Sequence, residues 1–424
     1  MTSEQIFAAA SVVAPAAERS ELSTRCCVVG GGPCGVMLGV LLARAGIDVI
    51  VLEKYPDFFR DFRGDTIHPS TLALLYELGW LDACLALPHS ELREIGANIA
   101  GEFLKVADFS KLPTHSRFIA FMPQWDLLNF LVERGRRYPT FHLMMETEVT
   151  ALVESAGLVT GVRAKTKAGE VAIRADLVVG ADGRHSTVRA LAGFEVENLG
   201  APMDVLWMRI PKLRSDPAQA LGTIRDGRIL IMIDRTTYWQ CAYVIPKGTL
   251  ENLKAAGLDA FHRGIVDTVP ALRDRVATID DWSKVALLEV RVDRLKRWHR
   301  AGVLCIGDAA HAMSPIGGVG INLAIQDGVA AANILAGALL EGTGTEGLLA
   351  AVQERRTFPT KVTQAFQVFA QNRAIDPVLQ GVEVTRVPLA ARLLDEVPSL
   401  RRLAARLIGM GARPEHIRTP DAFA

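Results

Sequence analysis

The sequence predicts an α/β fold, a Rossmann-like nucleotide-binding domain that is interrupted by a β-sheet domain and followed by a helical C-terminal region. Three observations predict it. Strand, glycine turn, helix and second strand follow one another in "RCCVVGGGPCGVMLGVLLARAGIDVIVLEK". Strand-like stretches broken by glycine turns dominate from Phe141 to Val178 and from Met203 to Ile245. A second glycine-rich loop, "GDAAHAMSPIGGVGINLAIQDG", arrives only at Gly307, just ahead of a run of small apolar residues. A nucleotide-binding unit whose parts lie this far apart must be split by an insertion.

Cys26 to Val29 is a continuous apolar run, the pattern of a parallel strand buried on both faces. Val36 to Arg44 is expected to be a helix, ended by Gly46, and Val49 to Leu52 the next strand. "TLALLYELGWLDACLAL" and "WDLLNFLVERGRR" place apolar residues at the helical period. "RILIMID" and "YWQCAYVIP" are strands of the inserted sheet. Helices resume near Leu250, and after Asn322 nearly everything is expected to be helical to the end.

Composition narrows the function. Half of the 424 residues are apolar, enough for a large core, and 47 basic residues balance 47 acidic ones. No basic stripe argues for nucleic acid. Six scattered cysteines with no C-x-x-C pair suit small buried hydrophobes in a reducing compartment. No apolar run is read as approaching the roughly 18 residues of a membrane span, and "AAASVVAPAA" lacks the basic start of a secretory signal. The expected setting is cytoplasmic, as monomer or homodimer.

Gly30, Gly32 and Gly35 form G-x-G-x-x-G between strand and helix, and Glu53 closes the second strand. Gly30 allows the tight turn, Gly32 lets backbone approach a pyrophosphate, and Gly35 lets helix and strand pack closely. The helix N-terminus then faces the phosphate charge. Glu53 is placed for ribose hydroxyls and disfavours a 2′-phosphate, so the dinucleotide held here is FAD or NAD.

Two further stretches decide between them. "VVGADGRHSTVR" (Val178 to Arg189) resembles the Asp-Gly motif of the FAD-dependent aromatic monooxygenases related to p-hydroxybenzoate hydroxylase. The late loop resembles that family's Gly-Asp-Ala-Ala-His motif with its Pro, glycine cluster and Asn. The three motifs occur in family order across about Cys26 to Ala338. The resemblance implies a non-covalent FAD, with its ADP half at the first turn and its ribityl and ring half at the late loop. It divides the chain into a mobile or surface tail (1–24), a FAD-binding domain (25–92, 118–198 and 296–345), a substrate domain (93–117 and 199–295) and the C-terminal helical region (346–424).

By the same resemblance Asp308 accepts hydrogen bonds from ribityl hydroxyls and Pro315 lies beside the flavin ring. Gly317, Gly318 and Gly320 are bare so that the ring can lie against backbone. Ile321 and Asn322 open a helix whose positive end meets the reduced flavin, an interaction of roughly 0.3–1 kcal/mol, up to about 2 when partly buried. Arg63 reaches the pyrophosphate and influences the nicotinamide, with Arg60 close by. Gln124 sits on the FAD phosphate or ribityl, and Asp182 and Arg189 fix the Asp-Gly loop. One departure is Val319, where many relatives have Gln. A metal reading of Asp308 and His311 lacks a second His or Cys at ligand spacing; His311, like His68 and His185, is expected to make local hydrogen bonds.

The resemblance further implies that NADPH or NADH reduces the flavin, that O2 forms a C4a-hydroperoxyflavin, and that an aromatic small molecule, expected to be phenolic, takes up the OH. The cofactor carries this chemistry. Candidate substrate residues are Trp207, Arg209, Met232, Tyr238 and Gln240; period-2 alternation puts Tyr238, Gln240 and Ala242 on one face, with no signal for which face meets the flavin. No second dinucleotide-binding unit is read further on, which disfavours two-dinucleotide flavoenzymes. Alternatives on this scaffold are a halogenase, although "WQCAYVIP" only echoes its W-x-W-x-I-P segment, a prenyl reductase, or a flavin-binding regulator without turnover.

Overall fold

The computed structural model describes residues 20–59, 65–216, 221–382, 384 and 386–424. Arg60 and Arg63 lie outside the described residues, as do residues 1–19. The stretch read as a tail already contains structure, because the first strand runs Ser20–Val29 and pairs Ser20 with Val171.

The first sheet has eight strands, with the central order His299–Arg300, Val303–Cys305, Gly169–Gly180, Ser20–Val29, Val49–Leu52, Phe141–Met144. Ser20–Val29 lies parallel to both Gly169–Gly180 and Val49–Leu52, and Val303–Cys305 runs parallel to Gly169–Gly180. These strands end side by side, so the three motif loops emerge at one edge of the sheet. That edge is where open α/β sheets bind ligands. The helix Pro33–Arg44 begins with Pro at its first position, where the missing N–H is no loss.

The second sheet has seven strands, ordered Ala286–Leu288, Met203–Pro211, Tyr238–Pro246, Arg228–Asp234, Leu221–Arg225, Glu94–Ile99, Glu102–Asp108. Its outer face carries Leu206, Met208, Leu230, Met232, Trp239 and Cys241, which pack on Phe261 and Ile265 of the helix Leu258–Thr268. Its inner face turns toward the first domain. There Val205, Ile229, Ala242 and Val244 pack with Ile316, which belongs to the late glycine loop.

The helix Gly320–Glu341 runs through the core of the first domain. Together with the turn before it, at Ile316–Glu341, it is long and apolar enough to cross a membrane, contrary to the expectation that no run was. The most apolar window is 72% buried within the protein, so its apolarity is that of a helix packed on most sides. A Cβ added at Gly328 would lie 2.7 Å from the carbonyl oxygen of Cys34, which shows how closely the two core helices approach. All six cysteines are buried and unpaired, as small hydrophobes.

The C-terminal region departs from the all-helical expectation. The helix Glu346–Ala370 is followed by shorter helices to Gly409, and Gly411–Ala424 then forms an extended strap. Gly411, at φ +80°, turns the chain out of the helix, and Pro414 and Pro420 keep it extended. The strap is held by side-chain bonds. Glu77 accepts from the Ile417 N–H at 2.7 Å, and Arg44 donates to the Thr419 carbonyl at 2.6 Å.

His68 ties the region around the second helix to this C-terminal part. It is buried, and its Nδ1 lies 2.8 Å from the Ile408 carbonyl, as a donor in the neutral ring. Burial pushes its pKa from 6.5 down to about 4. Between those values the unfolded chain takes up a proton that the folded chain refuses, so this contribution to stability is present above pH 6.5 and lost as the pH falls toward 4. His68→Gln keeps an N–H for Ile408 and should flatten the acid limb. In urea unfolding, the wild type should lose about 2 to 3 kcal/mol more than the variant between pH 7 and pH 4.5. Equal pH dependence in the two proteins would show that His68 is not held neutral.

Candidate active site

The first turn has the bare geometry that its letters imply. Gly30 has φ +110°, and a Cβ there would meet the Ala181 carbonyl oxygen at 2.4 Å. At Gly35 it would meet the Gly30 oxygen at 2.0 Å. At Gly32 it would meet nothing within 4 Å, so the space in front of the helix N-terminus is open. Glu53 lies over this turn, its carboxylate accepting the Gly31 N–H at 2.9 Å and the Tyr55 N–H at 3.1 Å.

The Asp-Gly loop lies against that turn. One carboxylate oxygen of Asp182 accepts the N–H groups of Thr187 at 2.7 Å and Val188 at 3.1 Å, at the start of a short helix. Burial is the largest influence on Asp182 and raises its pKa, while these bonds oppose the rise. Its second oxygen is buried without a protein partner. Arg189 donates to the Arg184 carbonyl at 2.6 Å and lies 3.5 Å from Asp293, so it braces the loop. Arg184 in turn approaches Asp308 to 3.6 Å.

The late loop reaches the same place. A Cβ on Gly307 would sit 3.2 Å from Cys34, on the first helix. Residues Gly302–Ser314 are buried except for half-buried Asp308, whereas Pro315–Ile321 form a half-buried shelf of backbone. Gly317 and Gly318 have φ +75° and +63°, and the helix starts at Gly320. A Cβ on Gly318 would strike the Thr66 hydroxyl at 2.4 Å, while one on Gly320 would come no nearer than 3.6 Å to Met313. The first N–H groups of this helix, Gly320 to Asn322, have no partner within it. The Asn322 side chain turns inward, where its carbonyl accepts from the His68 N–H and the Thr71 hydroxyl, each at 2.8 Å. Its backbone alone is left to face a ligand.

These features fit FAD. An open space stands before one helix N-terminus, a part-exposed carboxylate follows, and a strip of glycine backbone leads to a second N-terminus. His311 serves structure, since its Nε2 lies 2.5 Å from Asp327 in a buried pair. Gln124 begins the helix Gln124–Gly135, and its N–H lies 3.4 Å from Asp65.

The inner face of the second sheet roofs this shelf. Trp207 stands opposite Ala242 and Arg209 opposite Gln240, so Trp207, Arg209, Tyr238 and Gln240 share the face toward the loop. Met232 does not. It pairs with Cys241 and points outward into the core beneath Phe261, because one residue of offset along a strand reverses the side-chain direction. The recess on the inner side, about 10 Å³, is lined by Asp65, Pro123, Trp125, Arg209, Arg235, Tyr238 and Gln240. A larger cavity of about 800 Å³ opens on the outer side, lined by residues that include Met232 and Arg275. Ile316 of the late glycine loop packs on the inner face of the sheet, which makes that side the candidate site.

Arg235 was not anticipated. It is buried, 2.6 Å from Asp65, and donates to Gln240 at 3.0 Å. The Arg209 guanidinium lies 5.0 Å from the centre of the Tyr238 ring. Asp327 and the helix behind it were also missed. Gln364 and Gln367 donate to the carbonyls of Ala312 (3.1 Å) and Ser314 (2.8 Å). A polar stripe at helical spacing, Gln353, Arg356, Thr360, Gln364, Gln367 and Gln371, was the available signal. The spacing G-x-G-x-x-G does recur at Gly342, Gly344 and Gly347, contrary to the reading of a single instance. It joins the helices Gly320–Glu341 and Glu346–Ala370, so it lacks the strand that a dinucleotide turn requires.

Comparison with known proteins agrees with this geometry. The FAD binding domain family matches residues 23–366. A 6-methylpretetramide 4-monooxygenase of Streptomyces rimosus is 34% identical over 388 residues, covering 91% of this chain and 92% of its own. Among solved structures, p-nitrophenol 4-monooxygenase PnpA of Pseudomonas putida DLL-E4 superposes with a TM-score of 0.74 at 20% identity, over 92% of this chain and 97% of its own. The OxyS anhydrotetracycline hydroxylase of Streptomyces rimosus gives 0.72 at 24% identity, over 92% and 76%. The two structures share the fold. The chain belongs to the FAD-dependent aromatic monooxygenases, and it is an FAD-dependent monooxygenase acting on an aromatic substrate.

The open space before Gly32 yields a test. Gly32→Val should leave the apoprotein's melting temperature within about 2 °C of wild type, since the side chain enters empty space. The same variant should lose most of its FAD, released by acid and read by fluorescence. Full flavin occupancy would mean that the pyrophosphate does not lie there.

Proposed function

We propose that this protein uses FAD, NAD(P)H and O2 to hydroxylate a phenolic small molecule bound between the late glycine loop and the inner face of the second sheet. The observation that carries the reading is the packing of Ile316 on the inner-face cluster that includes Ala242 and Val244. It sets the backbone shelf beneath a sheet face that bears Trp207, Arg209, Tyr238 and Gln240. When bound, FAD supplies the redox chemistry, accepting hydride and activating O2 for transfer of one oxygen atom to the ring.

The chain's own part is to bind, orient and exclude water. Gly30, Gly32, Gly35 and Glu53 hold the ADP half, with Gln124 and Asp182 beside the phosphate and ribityl and Asp308 on the ribityl hydroxyls. Pro315, Gly318 and Gly320 form the ring environment. The N–H groups of Ile321 and Asn322 aim the positive end of a 22-residue helix at the ring, which favours its reduced, anionic form. Arg63, with Arg60 next to it, is assigned to the approach of the nicotinamide. On the roof, Arg209 and Arg235 offer positive charge to a phenolic oxygen, and Trp207 and Tyr238 offer flat apolar area. Met232 drops out of the substrate set because it faces the outer core.

The inner recess is too small for a ring, so a substrate must displace side chains to enter. NAD(P)H oxidation by the purified protein should therefore be slow alone and rise at least about tenfold with a suitable phenol, which can shift the equilibrium only by favouring the reducible state. The added oxygen should carry the label when 18O2 gas is supplied. Label arriving from water, or chlorination when halide is present, would contradict the reading.

A further inference from the structure

We propose that Arg356 and Glu415 are positioning residues for the ring-side FAD loop, so that the strap Gly411–Ala424 acts as a clasp on the cofactor site. The inference rests on the assignment of Gly307–Asn322 to FAD. It starts from a buried charge. Asp327 is completely buried on the core helix, and one of its oxygens accepts the Gly307 N–H at 3.0 Å and faces His311 Nε2 at 2.5 Å. These are the residues on either side of Asp308. A carboxylate in that position needs a cation, and Arg356 Nε supplies it at 2.7 Å on the second oxygen.

Arg356 is itself fully buried, and one carboxylate does not satisfy its fork of donors. Its Nη1 reaches Glu415 at 3.0 Å and the Arg413 carbonyl at 3.3 Å. Arg355 holds Glu415 from the other side by two bonds, at 2.8 and 3.0 Å. The Glu415 N–H donates to Gln326, the neighbour of Asp327, at 3.3 Å. The chain of contacts therefore runs from the strap through Arg356 and Asp327 to the two ends of the Asp308 turn.

Farther along the same helix, Gln367 accepts the Ser314 N–H at 3.1 Å and donates to the Ile316 carbonyl at 3.0 Å. Gln371 donates to the Ser314 hydroxyl at 2.9 Å. One helix thus fixes both the ribityl turn and the start of the ring shelf through side chains. Between them the loop is also held by backbone bonds, since the carbonyls of Ala310 and Ala312 accept the Leu295 N–H at 2.7 Å and the Asp293 N–H at 3.3 Å. None of these groups reaches the open face of the shelf, so they act on FAD only by aiming the loop.

The test measures FAD affinity of the full-length apoprotein by flavin fluorescence, together with the apoprotein's melting temperature and the bound flavin's visible band. Arg356→Met should raise the FAD Kd at least about tenfold, and Glu415→Gln, which keeps the shape and removes one charge, about threefold to fivefold. Arg356→Lys should recover only part of the loss, because an ammonium does not bridge two carboxylates as a planar fork does. Ile265→Ala, in the outer core of the second sheet, serves as a control that lowers the melting temperature without touching the loop. Its Kd should stay at the wild-type value, and its visible band should not move, whereas the bands of the Arg356 and Glu415 variants should shift. Should Arg356→Met fail to fold, Glu415→Gln decides alone. Wild-type Kd and spectrum in Glu415→Gln, or an equal loss of affinity in the control, would overturn the clasp. Asp308→Ala separates the two levels, because unweakened FAD binding there would remove the loop assignment itself. A weakened Asp308→Ala beside an unaffected Glu415→Gln would remove only the clasp.

Discussion

Asp327 is the fixed point around which the late loop is built. A completely buried carboxylate survives in an apolar core only if hydrogen bonds and a cation replace the water it has lost. Here the replacements are a backbone N–H from Gly307, an imidazole from His311 and a guanidinium from Arg356. Burial alone would raise its pKa; His311 and then Arg356 outweigh that and hold it below the ordinary carboxylate value. Gly307 and His311 belong to the late loop and Arg356 to the C-terminal helix, so satisfying one charge on the core helix sets all three relative to one another.

The bare backbone follows from what surrounds that point. Three loops, each at the end of a parallel strand, meet where a Cβ at Gly30 would strike Ala181 and a Cβ at Gly307 would touch Cys34. Glycine at Gly30 and Gly35 is required by protein atoms, whereas at Gly32 the protein imposes no such limit and the open space is left for a ligand. The same division holds later, where Gly318 is crowded by Thr66 and Gly320 is not. Packing and binding thus account for different glycines of one motif.

Much of this was legible in the sequence because local chemistry carries it. The apolar run Cys26–Val29, the helix read as Val36–Arg44 and found to start one turn earlier at Pro33, and the strand Val49–Leu52 depend on periodicity and on glycine or proline at their ends. The alternation of Tyr238, Gln240 and Ala242 was readable too, but not the face, because both faces of that sheet are covered and both read as apolar. Met232 was grouped with the inner-face residues for that reason, since only strand pairing shows that it aligns with Cys241 on the outer face. Asp327, Arg356 and Glu415 were invisible as a set because their meeting is purely tertiary, across 29 residues in one step and 59 in the next. The strap was read as helix because composition near the end is helix-like up to Gly409, and the bonds that hold it extended are also long-range. The first half of the strand Ser20–Val29 was hidden by its largely polar letters, because before Cys26 it pairs on one side only, where apolar residues are not needed.

The central claim is that two glycine loops, far apart in the chain with the whole second sheet between them, hold one cofactor. Hydrogen–deuterium exchange of the apoprotein with and without FAD tests it most directly. Added FAD should slow exchange at Gly30–Gly35 and at Gly317–Asn322 together, with the same dependence on FAD concentration. Protection confined to the first turn, or protection of the two loops at different FAD concentrations, would contradict the account.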